Sequence, residues 1–122
     1  MANDPEFVDF SLELLSPVGP VRAKRMFGGH GIFLDDMMIA LIADDQLYLK
    51  TDDETKDRFE TAGSEPFRYT KAQGQVSVMS YHTAPEAALD DAEEMRTWAR
   101  LAVDAALRAR AKRPAKRRAS KR

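Results

Sequence analysis

Between Arg22 and Lys50 the chain alternates short apolar runs with pairs of turn-forming residues: Gly28-Gly29, Asp35-Asp36 and Asp44-Asp45. That punctuation constrains the fold more than any other feature. Two-residue reversals can join only antiparallel neighbours, and Gly-Gly suits the positive φ of a tight reversal. His30 to Leu34 reads as a strand, Met37 to Ala43 as a longer apolar one, and Gln46-Leu47-Tyr48-Leu49-Lys50 as an alternating one. With Arg22 to Phe27 in front, the segment predicts a four-stranded antiparallel meander.

Helical periods flank it. Asp4 is an N-cap, Pro5 occupies the first helical position, and Phe7, Phe10, Leu14 and Leu15 line one face of a helix over about residues 5 to 16. The polar start Thr51-Asp52-Asp53-Glu54 favours a second helix, with Phe59 and Ala62 on its buried face and Gly63 as its stop. Phe67 to Lys71 and Gln75 to Tyr81 flank Gly74 as a second hairpin, and Thr83 is expected to cap a short turn beginning at Pro85. After Asp90, Met95, Trp98, Ala99, Ala102 and Ala106 recur at helical spacing. The element order is α-β-β-β-β-α-β-β-α. It predicts an α+β fold, a two-layer sandwich in which helices pack on an antiparallel sheet.

Charge divides the chain. Its 122 residues carry a formal net charge of −1, but the last fifteen positions hold nine of the 19 basic residues and no acid. The first 107 keep ten basic residues and all 20 acids, hence −10. Two parts are expected: a folded domain over residues 1–108 and a basic, disordered tail over 109–122, which has no large apolar residue with which to build a core. The cations Arg108, Arg110, Lys112, Arg113, Lys116, Arg117, Arg118, Lys121 and Arg122 are the candidate nucleic-acid contacts. They can release counterions from phosphates without reading base sequence. The alternative is a solvated tail that folds back transiently on the acidic domain.

Other chemistry is sparse. There is no cysteine, hence no disulfide framework, thiolate zinc site or catalytic thiol. No apolar run is long enough to cross a bilayer, so no membrane association is expected. Met1 to Glu6 lacks a basic region followed by an apolar stretch, so no secretory leader is expected and the cytoplasm is the expected compartment. His30 reads as a hairpin residue and His82 as a surface residue at a strand end; together they make no metal-binding pattern. The paired carboxylates fall where turns and helix starts need polar side chains. No serine lies in Gly-x-Ser-x-Gly, and the glycine run has neither the spacing nor the lysine of a phosphate loop. No catalytic residue, cofactor or metal is expected.

Arg25-Met26-Phe27-Gly28-Gly29-His30-Gly31-Ile32-Phe33, Ala40 to Lys50, Ala62 to Tyr69 and Met79-Ser80-Tyr81 resemble the N-terminal domain of the TfoX/Sxy competence-regulator family. The resemblance covers about residues 5 to 108. It implies a compact α+β domain similar to the secretion-chaperone fold, and no catalytic residues. Larger members carry a second C-terminal domain where this chain has its basic tail. The motif residues Met26, Phe27, Gly28, Gly29, Gly31, Leu47, Tyr48, Leu49, Lys50, Phe67 and Tyr69 are expected to serve structure, the glycines in the turn and the apolar residues in packing. The implied function is a non-enzymatic regulatory or adaptor domain, transcription-related, with an unidentified protein partner and nonspecific nucleic-acid contact by the tail. The alternative is a protein-interaction module or homodimer with no nucleic-acid role.

Overall fold

A computed structural model describes residues 4–26, 29–70 and 76–112. Helix α1 (Pro5–Leu15) and a 3-10 turn (Ser16–Val18) lead into strands β1 (Val21–Met26), β2 (Gly29–Leu34), β3 (Met37–Ala43) and β4 (Gln46–Lys50). Helix α2 (Lys56–Thr61), strands β5 (Pro66–Thr70) and β6 (Val76–Thr83), and helices α3 (Glu86–Asp90) and α4 (Ala92–Lys112) complete the order. All strands join one antiparallel sheet, in the order β1-β2-β3-β4-β6-β5. The α+β class with helices on an antiparallel sheet is thus as the sequence predicts.

Local chemistry explains the punctuation. Asp35 and Asp36 have φ of 50° and 70°, and Asp44 and Asp45 have 52° and 57°. Two consecutive positive values match the twist of a two-residue hairpin. Asp4 accepts a 3.0 Å hydrogen bond from the Glu6 amide and caps α1. Gly63, at φ 94°, ends α2, and the amide of Ser64 donates back to the carbonyl of Phe59 at 2.9 Å.

Several details depart from expectation. Gly29 already belongs to β2, paired with Met26. Gly31 also lies within that strand, and it is needed for space: a Cβ there would fall 2.5 Å from Met26 Sδ and 3.1 Å from Met38 Sδ. The acidic stretch before α2 forms a turn, because the Asp52 side chain accepts from the Glu54 amide and the helix begins only at Lys56. Thr83 caps nothing downstream; its hydroxyl accepts from the Glu65 amide. Asp90 ends α3, and Asp91 caps α4 by accepting from the Glu93 amide.

The main core lies between one sheet face and helices α1 and α4. Val8, Ser11 and Leu15 form the buried stripe of α1, whereas Phe10 is 40% exposed. Of the predicted Phe7-Phe10-Leu14-Leu15 face, Leu15 is buried as expected, but the stripe is turned toward Val8 and Ser11, so that Phe7 and Leu14 only flank the core. On α4 the buried residues besides Met95 are Ala99, Ala102, Ala105 and Ala106, small enough for the helix to lie close to the sheet. A bulge leaves Ile39 without a pairing partner between Ala40↔Ile32 and Met38↔Phe33, and both Ile39 and Ala40 join this core. The opposite face holds a smaller cluster of Leu41, Phe67 and Tyr81 flanked by Met38, Ala43 and Tyr48, with no helical residue among them.

Candidate functional site

The base of the basic segment is part of the folded body. Helix α4 stays regular through Lys112, so Arg108, Arg110 and Lys112 lie on its last turns, and the tail expected from residue 109 begins inside the helix. Arg108 Nε donates to Asp52 Oδ2 at 2.7 Å and Nη2 donates to Asp52 Oδ1 at 3.1 Å, with Glu54 Oε2 3.3 Å from Nε. This fork holds the Asp52 carboxyl below the usual aspartate range, chiefly through the hydrogen bonds from Arg108. Arg110 Nη1 reaches the Asp35 carbonyl at 3.5 Å, and Lys112 is exposed. Arg113, Lys116, Arg117, Arg118, Lys121 and Arg122 lie outside the described residues.

The motif residues divide between the sheet faces. Leu47 and Leu49 enter the main core. Tyr48 points the other way and packs edge-on against Phe67, with ring centroids 4.9 Å apart. Lys50 lies over the Tyr81 ring at 5.1 Å. Met26 ends β1 opposite Gly29, and Tyr69 pairs with Ser77 in the β5–β6 ladder. Phe27 and Gly28 lie outside the described residues. The motif thus brings Tyr48, Lys50 and Phe67 together around Tyr81, a residue whose partners could not be read from its own strand. Burial pushes the Tyr81 hydroxyl up to about 12.

His82 is buried, contrary to the surface position expected for it, because the β4–β6 pairing sets it opposite Leu49 on the helix-covered face. Its Nδ1 is 2.8 Å from Thr51 Oγ1 and its Nε2 is 2.9 Å from Glu60 Oε2. A hydroxyl, an imidazole and a carboxylate in line can serve nucleophilic catalysis, but a nucleophile must reach its substrate. Thr51 is 1% exposed. The line works instead as a polar tie joining β4, β6 and α2. The signal missed in the sequence was pairing: no local feature relates Thr51 or Glu60 to His82. His30 is half-buried in β2, opposite Ile42. Among the described residues, no group of three or more His, Cys, Asp or Glu is placed to hold a metal ion, and no helix is long and apolar enough to cross a membrane.

Residues 13–106 match the family model described as the TfoX N-terminal domain. The chain is 33% identical over 69 residues to a DNA transformation protein, TfoX1, of Aliivibrio fischeri, covering 57% of this chain and 32% of that protein. It is also 30% identical over 60 residues to an uncharacterized 12.7 kDa protein in the trpE 5′ region of Spirochaeta aurantia, covering 49% of this chain and 52% of that one. These matches span about a third and about half of the two relatives' lengths.

Proposed function

The chain belongs to the TfoX N-terminal domain family, and from that premise we propose that it is a non-enzymatic regulatory or adaptor domain of the cytoplasm. Its role is in regulation of transcription related to competence; the competence part is supported by an A. fischeri relative named as a DNA transformation protein. The body engages a protein partner, and the basic segment adds weak, sequence-independent affinity for nucleic acid.

One observation carries this reading. The cations are delivered from a fixed point: Arg108 is locked to Asp52, and beyond it Arg110, Lys112 and six further basic residues follow without one acid. The body carries a formal charge of −10, which opposes phosphate, so this basic end is where contact is most favoured. Removing residues 113–122 and following oligonucleotide binding against salt tests the reading. The deletion should flatten the slope of log affinity against log salt, while thermal unfolding stays near that of the full chain. An unchanged affinity and slope would end the nucleic-acid part.

A second reading, a protein-interaction module or homodimer without nucleic acid, is favoured by the second sheet face, whose apolar cluster includes no residue of a described helix. Phe33, Met38 and Tyr48 are half-buried there, and β1 forms one edge of the sheet. Sedimentation at high concentration tests the homodimer, which a strict monomer excludes.

A further inference from the structure

The sheet parts at one end. Strand β3 pairs with β4 only from Ala43↔Gln46 to Ala40↔Leu49; before that, Met38 and Met37 pair with β2 alone, and Lys50 pairs with Tyr81 of β6. The bulge at Ile39 marks where the strands diverge. The Tyr81 hydroxyl spans the gap and donates to the Met38 carbonyl at 3.3 Å. Helix α4 closes the opening with Ala106, Ala109 and Arg110, leaving a cleft of about 390 Å³.

The walls are chemically distinct. Phe33, Met38 and Tyr81 supply apolar surface, and Lys50 and Arg110 supply positive charge from separate elements. The acid on the rim, Asp36, has Arg22 3.6 Å away. Arg110 is also two residues before Lys112, where α4 ends, and the sequence beyond carries six further cations. A phosphate set between a lysine from one strand and an arginine from a helix gains two charge-assisted contacts, and the apolar wall suits the adjoining sugar or base.

Resting on the nucleic-acid reading above, the geometry points to the β3–β4 cleft as a seat for one phosphodiester of a single-stranded nucleic acid, with Lys50 and Arg110 as its binding cations. The seat makes the tail a recruiter and gives the strand a fixed point on the body.

Binding of a fluorescein-labelled single-stranded oligonucleotide tests this in the full chain, its K50Q and R110Q variants, and a variant with the six cations of residues 113–122 changed to glutamine. Each cleft substitution should weaken binding about threefold at moderate salt and reduce the salt slope by about 0.7, the share of one single-strand phosphate contact. The tail variant should lose several such steps yet remain sensitive to K50Q. Millimolar inorganic phosphate, at matched ionic strength, should displace the oligonucleotide from the tail variant; if calorimetry instead shows phosphate binding that K50Q and R110Q abolish while the tail variant binds no oligonucleotide, the ligand is free phosphate and the strand proposal is overturned. If K50Q and R110Q bind as the parent does while the tail variant loses binding, the cleft proposal fails and the tail reading stands. If the parent shows no salt-dependent binding, both fail.

Discussion

Arg108 and Asp52 lie 56 positions apart in sequence and meet in a two-point ion pair, 2.7 and 3.1 Å between donor and acceptor atoms. The pair fastens the last turns of α4 to the turn that follows β4. Being partly exposed, it is screened by water and salt, and R108Q should cost about 1 kcal/mol in urea unfolding, less at high salt. Because the Asp52 carboxyl titrates lower in the folded chain than in the unfolded one, its stabilisation is complete above the ordinary aspartate range. It fades as acid protonates it through the lowered folded value, and in R108Q that acid-range loss should shrink.

Tyr81 sets the alkaline limit. Below pH 10 its hydroxyl is protonated in both states and contributes no pH dependence. Between pH 10 and about 12 the unfolded chain ionises first, so stability should fall by about 2 kcal/mol across that window. Tyrosinate absorbance should show one group titrating near the top of the range, and Y81F should remove that step.

The buried tie through His82 predicts asymmetric costs. H82A leaves a cavity and strips the Thr51 hydroxyl of its partner, so unfolding stability should drop by about 2–3 kcal/mol. E60Q keeps an acceptor near Nε2 on a half-exposed side chain and should cost under about 1 kcal/mol. Equal losses from the two would contradict the tie.

The Asp35-Asp36 turn stores removable strain. Asp36, at φ 70°, occupies a conformation that glycine adopts freely, and its link to Arg22 is exposed. D36G should therefore raise stability by about 0.5–1 kcal/mol, read as a higher urea midpoint at constant slope.

What the sequence made legible was local. Asp4-Pro5, the two Asp-Asp pairs and Gly63 each fix a conformation within a few residues, and the structure has a cap, two hairpins and a helix end there. The relations that build the site are long-range. The insertion of β6 between β4 and β5 buries His82 beside Thr51 and brings Tyr81 under Lys50, yet no residue in either strand announces that neighbour. In the same way, the stretch Asp52-Asp53-Glu54 reads as a helix start because acids favour that position. The residue that claims Asp52, Arg108, stands at the far end of the expected domain, and nothing local to either residue announces the other.

Affinity of the basic end for nucleic acid must answer to salt. Its most direct test is the salt dependence of oligonucleotide binding by the full chain beside the chain ending at Lys112. The full chain should bind weakly, with an affinity that falls steeply with salt, and the truncated chain should give a much flatter, weaker response. Equal affinity and equal slope for the two would contradict it.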